Sequence, residues 1–358
     1  MTIWFCIGTA AELIKIWPVA LELEKRNIDW MILQTGQSTK SFLEQTADFK
    51  IAQNKILYIS PFKHNFDSFF KALTWFLYSM FVTKPRLRAL IPSLHPDDTL
   101  VVHGDTLSTL LGSFYGKALN LKVAHLEAGM RSHNLLNPFP EEICRRLVSI
   151  VADIHFCPDE SAILSLKNEG VCSGLVLTHG NTIMDSLKEV VGEVRRENDP
   201  YIVVNFHRSE NVLSLSRWNF LLEHLEIIQS KYRVIFVVMP NTKLFLDSHA
   251  HLKKRLEVLN LKIVERMTFS KFLKLIVGSS FIMTDSGTNQ EECYYLGIPC
   301  LILRTVTERR EGLNINCILS SFDSKITKHF LNNPEQYRSE PLFKTYTPST
   351  YVVKGLVE

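Results

Sequence analysis

Short apolar runs rich in β-branched and aromatic residues recur along this chain. Most close on Gly, Asp or His, and a longer stretch with helical spacing of apolar positions follows. In the first half the runs are TIWFCIG (2–8), DWMILQTG (29–36), KILYIS (55–60), TLVVHGD (99–105), KVAHLEAG (122–129), DIHFCPD (153–159) and LVLTHG (175–180). Between them lie helical patterns such as AELIKIWPVALELEKR (11–26), TLSTLLGSFYGKALN (106–120), EEICRRLVSIVA (141–152) and ESAILSLKNEG (160–170). The second half repeats the scheme with YIVVNFH (201–207), RVIFVVMP (233–240), LKIVERM (261–267), FIMTDS (281–286) and PCLILR (299–304), again with helical stretches between. Alternation of this kind predicts a parallel sheet covered by helices on both faces.

Two such sets predict the fold class: α/β, with two Rossmann-like domains facing across a cleft. The expected layout is a first domain over 1–180, a second over 181–330, and a tail over 331–358 that packs back on the first. GNTIMDSLKEVVGEVRRENDP (180–200), a helix and then a polar run, reads as the connection. In such sheets ligands bind at the loops that follow strands, so the residues at strand ends carry the functional information.

One segment departs from the alternation. FDSFFKALTWFLYSMFVTKPRLR (66–88) is apolar on most sides of a helix and ends in Lys84, Arg86 and Arg88. Burial in the core together with a dimer contact is the favoured reading. The other is a basic amphipathic segment resting on a membrane surface, a peripheral contact.

Bulk properties narrow the class. The 358 residues fit two domains of roughly 150–200 residues each. A net charge of +3 is too small to argue for nucleic acid, and no such partner is expected. The seven cysteines form no CxxC pair; they read as reduced thiols of a cytoplasmic protein. The N-terminus lacks the features of a signal peptide, and no apolar run is long enough to span a bilayer.

The strand ends hold the chemistry. After the first run, Gly8 allows a tight turn, Thr9 and Glu12 form a capping-box pattern, and Lys15 lies one turn on. That is either a capped helix with a surface lysine or an anion site with Lys15 as countercharge. Asp105 in HGDT suits an N-cap. AHLEAGMRSHNLLNPFPEEICRR (124–146) gathers Glu127, Glu141, Glu142, Arg131, Arg145 and Arg146. A first-turn position on a helix explains Glu141 and Glu142, and i,i+4 spacing offers Arg145 to Glu141. Glu127 has no such local explanation. In the second half, His207, Arg208 and Glu210 follow YIVVNF, a placement suited to a diphosphate or to proton transfer. Asp285-Ser286-Gly287-Thr288 closes a strand and opens a helix, giving an anion nest aided by the helix dipole. Glu291 and Glu292 follow, where an acid could meet sugar hydroxyls. LGIPC, the passage into the next strand, resembles the nucleotide-binding domain of GT-B enzymes, and Arg309 and Arg310 come soon after.

As an ordered set, GTAAELIK, VVHGDT, HLEAGMRS with NPFPEEICRR, HRSEN, and DSGTNQEE with LGIPCLILR and TERREG resemble the non-hydrolysing UDP-N-acetylglucosamine 2-epimerase family. The resemblance implies a homodimer that takes a UDP-sugar, with neither nicotinamide nor a metal as cofactor. It implies inversion at C2 to give UDP-N-acetylmannosamine, by loss of the C2 proton and expulsion of UDP to 2-acetamidoglucal, then re-addition. By resemblance Asp105, Glu127 and Glu141 are the catalytic carboxylates, with His207 near the departing UDP. Lys15 and Arg145 would balance charge, with Arg208 also on the substrate. Ser286 and Gly287 would hold diphosphate, Glu292 the ribose, and Arg309 would stand near the uridine.

Some positions depart from the family pattern. Ala10 and Ala11 replace an Arg-Pro pair, and Thr288 replaces a glycine. Ser38 and Met239 stand where the bacterial allosteric site has histidines, so weak or absent activation by UDP-N-acetylglucosamine is expected. A glycosyltransferase on the same scaffold, a hydrolysing epimerase and a nucleotide-sugar sensor are the rival readings. Survival of the carboxylates and His207 speaks against the first and third.

Overall fold

The computed structural model describes residues 1–60, 69–91, 94–132, 139–192, 200–259, 261–307 and 309–358. The chain forms two compact units, Met1–Ser186 with Tyr346–Glu358, and Leu187–Thr345.

The first unit carries seven parallel strands: β1 (Thr2–Ile7), β2 (Asp29–Gln34), β3 (Ile56–Tyr58), β4 (Thr99–His103), β5 (Lys122–Leu126), β6 (Ile154–Cys157) and β7 (Leu175–Leu177), in the order β3-β2-β1-β4-β5-β6-β7. The second carries β8 (Tyr201–Asn205), β9 (Arg233–Val238), β10 (Lys262–Glu265), β11 (Phe281–Thr284), β12 (Cys300–Ile302) and β13 (Cys317–Leu319), parallel in the order β10-β9-β8-β11-β12-β13. Each run read as a strand is one. β13 is a three-residue edge strand that the pattern of apolar runs does not mark. Both sheets show the doubly wound order, which reverses direction between β1 and β4 in one unit and between β8 and β11 in the other. At such a reversal neighbouring helices leave on opposite faces and open a crevice beyond the strand ends.

Burial follows from this layering. Ile3, Phe5 and Ile7 of β1 and Val101 and Val102 of β4 are fully buried, as central strands covered on both faces must be. The helix Ala10–Lys25 starts with the predicted capping box, Thr9 with Glu12. Pro18 lies inside it and cannot donate to the Ile14 carbonyl one turn back. The Ser186 hydroxyl donates to that carbonyl instead, at 2.6 Å. Gly8 is required where the β1 loop turns: a Cβ there would come within 2.1 Å of Ser108 Oγ.

The C-terminal stretch is divided. Arg338 donates to the Ser280 carbonyl at 2.7 Å, and Ser339 N–H to the Gly297 carbonyl at 3.1 Å, both within the second unit. The last helix, Pro348–Val357, buries Val352, Val353 and Leu356 in the first unit, and its Ser349 N–H donates to Asp185 at 2.7 Å.

The aromatic segment is a helix over Phe69–Tyr78, a π-helical turn over Ser79–Thr83, a 3₁₀ turn over Lys84–Arg86 and a short helix over Leu87–Leu90. Positions 66–68 of that stretch, and 193–199 of the connection, lie outside the described residues. One side is core: Trp75 is buried and donates to the Thr35 carbonyl at 3.1 Å, and Leu87 is buried too. The other is exposed, Phe70 by 77% and Phe81 by 75%, beside Leu77. Among the described residues no helix is long and apolar enough to cross a membrane.

Candidate active site

In the first unit the sites follow β1, β4 and β5, next to the reversal of the sheet. Lys15 is not a surface lysine. It is buried, and its Nζ donates to both oxygens of Glu127, at 3.1 and 2.9 Å. The two residues are 112 apart in sequence; the β1–β4–β5 order brings them together. His103, the last residue of β4, places Nε2 3.3 Å from Glu127 Oε2. Glu127 itself takes φ +61°, a left-handed conformation that non-glycine residues adopt rarely and at a cost of roughly 1–3 kcal/mol. Gly104 lies alongside, and a Cβ there would approach Glu127 Oε2 to 3.8 Å. Glu127 also lines a small pocket with Leu126, Phe156, Pro158, Thr178 and Asn181.

Asp105 follows Gly104 and pairs with the Arg145 guanidinium. The helix cap beside it is Thr106, which forms a capping box with Thr109, so Asp105 is released from the N-cap task that its position suggested. Burial opposes the charge on Arg145, but the carboxylates of Asp105 and Glu127 outweigh it and raise its pKa. Arg145 also reaches Glu142 at 3.4 Å. Glu142 is fully buried and accepts from Ser132 N–H at 3.0 Å and from Arg146 Nε at 3.2 Å. Glu141 opens the helix Glu141–Val151. Burial pushes the Cys144 thiol up to about 12, and the negative charges of Asp105 and Glu141 add to the shift. Asp105 is tied to that helix through Arg145, one turn beyond Glu141. Arg131 is taken up elsewhere, by Glu169 at 2.7 Å.

Behind the site, Glu12 is buried and accepts from Gly8 N–H at 2.9 Å, Thr9 N–H at 2.8 Å and Thr106 Oγ1 at 2.7 Å. It ties the starts of two helices, Ala10–Lys25 and Leu107–Ala118, into one block. Burial raises its pKa, against those hydrogen bonds. His125 is fully buried and held at about 3 by that burial, with His155, His103 and Arg131 adding to it. The neutral ring bonds the Gly104 carbonyl through Nε2 at 2.7 Å and braces the loop that carries Asp105.

In the second unit the corresponding reversal puts the ends of β8 and β11 side by side. Asp285, fully buried, accepts from His207 N–H at 3.1 Å, Arg208 N–H at 2.9 Å and Asn211 Nδ2 at 2.9 Å. Burial lowers the His207 pKa, and the Asp285 charge acts against that shift. Arg208 pairs with Glu210 at 3.3 Å. Ser286 caps the helix Gly287–Leu296, accepting from Asn289 N–H at 3.4 Å, so its hydroxyl and Gly287 stand at a positive helix end. Glu292 is buried and accepts from Asn289 Nδ2 at 2.8 Å. Arg309 lies 3.1 Å from Glu291 and 3.4 Å from Glu311. Gln290 fixes that loop by donating to the carbonyls of Arg309 and Glu311, at 3.2 and 2.9 Å.

Among the described residues no group of three or more His, Cys, Asp and Glu side chains is disposed to hold a metal ion. Lys15, Asp105, Glu127 and Arg145 thus meet at the strand ends of one unit, with Glu141 on the same helix as Arg145. His207, Arg208, Ser286, Gly287, Glu292 and Arg309 cluster at the strand ends and adjoining loops of the other. Sequence reasoning gave His103 no role, Glu142 only a place in a first helical turn, and Asp285 only a place at the start of the Asp285–Thr288 nest. Each was visible at a strand end or in a first helical turn, but its partner lies on a different strand or loop.

Comparison with known proteins bears on this arrangement. A family model described as UDP-N-acetylglucosamine 2-epimerase matches residues 21–331. The UDP-N-acetylglucosamine 2-epimerase of Methanocaldococcus jannaschii is 31% identical, over 91% of this chain and 89% of that protein. The enzyme of the same name from Bacillus subtilis is 31% identical, over 92% and 87%. Among solved structures, a UDP-GlcNAc 2-epimerase from Neisseria meningitidis bound to UDP-GlcNAc superposes with a TM-score of 0.81 at 27% identity, covering all of both chains. The chain shares the two-domain, GT-B-type α/β fold of such structures.

Proposed function

Because the chain belongs to the UDP-N-acetylglucosamine 2-epimerase family, we propose that it interconverts UDP-N-acetylglucosamine and UDP-N-acetylmannosamine. The C2 proton is removed and the bond from C1 to the diphosphate oxygen breaks, giving 2-acetamidoglucal and UDP. UDP then adds back at C1 while a proton arrives at C2 from the other face. One observation carries this reading: Glu127, in a strained backbone conformation, sits against buried Lys15 and His103, beside the Asp105–Arg145 pair. Inversion at carbon needs a base on one face and an acid on the other, and carboxylates with fixed cationic partners supply both without large rearrangement.

In this reading Asp105, Glu127 and Glu141 exchange the proton, and Lys15 and Arg145 offset charge on the sugar and phosphates. Ser286 and Gly287 present N–H and hydroxyl donors to the diphosphate, with Arg208 beside them. Glu292 takes the ribose, Arg309 the uridine end, and His207 acts at the leaving UDP. Incubation with UDP-N-acetylglucosamine in deuterium oxide tests the scheme by NMR. Deuterium at C2 together with UDP-N-acetylmannosamine is expected. Accumulating UDP would mark a hydrolase, and an unexchanged C2 proton would end the proposal.

The functional form is a homodimer, and the exposed face of Phe70, Leu77 and Phe81 supplies its contact. Burying these side chains against a second copy removes apolar area from water at about 25 cal/mol per Å². Changing Phe70 and Phe81 to Ser should convert the dimer to a monomer by light scattering; a dimer that survives both changes must use another face.

A further inference from the structure

The amides around His207 form a chain in which every donor direction is fixed by its neighbour. At one end stands Glu292, whose Oε2 accepts from Asn289 Nδ2 at 2.8 Å. Asn289 must therefore turn its carbonyl oxygen the other way. That oxygen accepts from Thr284 Oγ1 at 3.1 Å and from Asn205 Nδ2 at 2.8 Å. The Thr284 hydroxyl agrees with this sense, because its oxygen already accepts from Ser286 N–H at 3.0 Å and its proton is left to donate. Asn205, having spent its NH₂ on Asn289, presents its oxygen to His207 Nδ1 at 3.2 Å. Asp285 Oδ1 lies 3.2 Å from the same Nδ1. Two oxygens thus converge on one ring nitrogen, and neither has a proton to give it.

We propose that Asn205, Asn289 and Asp285 are positioning residues that hold neutral His207 as the tautomer protonated on Nδ1, so that Nε2 is the bare nitrogen. This rests on the epimerase reading only for the use to which His207 is put. In that tautomer Nε2 accepts a hydrogen bond or a proton and cannot donate until it has been protonated. A proton taken at Nε2 makes the ring cationic, with the Asp285 carboxylate beside Nδ1 to stabilise it. Departing diphosphate would then meet a donor that did not exist before the proton arrived. Which nitrogen of a histidine is protonated is set by what its other nitrogen touches, and here the setting reaches back through two amides to a carboxylate.

A long-range proton–nitrogen correlation spectrum of the full chain, labelled with ¹⁵N-histidine and recorded without substrate at mildly alkaline pH, reads the tautomer directly. The signal of His207 is the one lost in His207→Gln. A single Nδ1-protonated pattern is expected; an Nε2-protonated ring, or an even mixture, overturns the proposal. Asn289→Ala removes the middle of the chain without touching the histidine. With Asp285 alone left facing Nδ1, the ring should admit the Nε2-protonated tautomer beside the other, and kcat should fall on the order of tenfold, as loss of an orienting partner typically does. An unchanged tautomer and unchanged kcat in that variant would remove the amide chain from the mechanism. The two readings fail separately. A Nδ1-protonated ring in a protein that does not epimerise sinks the function alone, and an Nε2-protonated ring in an active enzyme sinks the tautomer alone.

Discussion

Two groups of acids, one in each unit, are held in different ways. In the first, charge answers charge: Lys15 holds Glu127, Arg145 holds Asp105, and Arg145 and Arg146 both reach the fully buried Glu142. In the second, the fully buried Asp285 is met by backbone N–H groups and an asparagine amide, with a histidine beside them. Ion pairs of the first kind lock acids next to cations and leave both able to change partner when a charged ligand arrives. Neutral donors of the second kind fix geometry without consuming cationic side chains. The difference suits the proposed division between moving protons and holding a diphosphate. Both arrangements arise at the same place in the topology, the reversal of a doubly wound sheet.

The sharpest way to break this comparison is to remove the charges of the first unit. Glu127→Gln should lower kcat on the order of 10³-fold, the usual weight of a positioned acid–base group. Lys15→Met should leave Glu127 buried without its ammonium partner and lower stability by about 3–5 kcal/mol in urea unfolding. The double variant should regain much of that loss. Equal stability of wild type and Lys15→Met would mean that the pair does not compensate burial, and the contrast between the units would weaken.

A second test uses acid. The His125 pKa is depressed from 6.5 to about 3. Between those values the unfolded chain binds a proton that the folded chain refuses, so stability falls as pH falls, by about 1.4 kcal/mol per unit at the steepest. Above pH 6.5 this contribution is fully present. His125→Gln should flatten the acid side of the stability profile, apart from the slope due to carboxylates. The same profile in both proteins would show that another group controls acid unfolding.

The smallest effect concerns the first loop, where Ala10 and Ala11 stand in place of the Arg-Pro pair of the family pattern. Ala10 opens the helix Ala10–Lys25 at a position where the family pattern carries arginine. Ala10→Arg should lower KM for UDP-N-acetylglucosamine by about tenfold, since a charged hydrogen bond contributes about 1.5–3 kcal/mol. No change in KM would mean that Lys15 and Arg145 already satisfy the substrate on that side.

Much of this is legible in the sequence. Alternating apolar runs and helical stretches determined that the chain is doubly wound α/β, built twice, because a strand covered on both faces must be apolar throughout. Gly8, Thr9 and Glu12 announced a helix start, and Ser286 and Gly287 another, because capping is local chemistry within four residues. The ordered strand-end motifs pointed to the acids and to the anion cradle. What those side chains touch was not legible. Lys15 reads as a surface cation until β4 and β5 are placed beside β1; Asp105 reads as a cap until Thr106 takes that task. Asp285 and Asn205 look like ordinary strand-end residues, and only the pairing of β8 with β11 sets them around one imidazole. Periodicity along a chain encodes which face of an element is buried. It does not encode which other element covers that face, and ion pairs across 40 or 112 residues are decided by strand order alone.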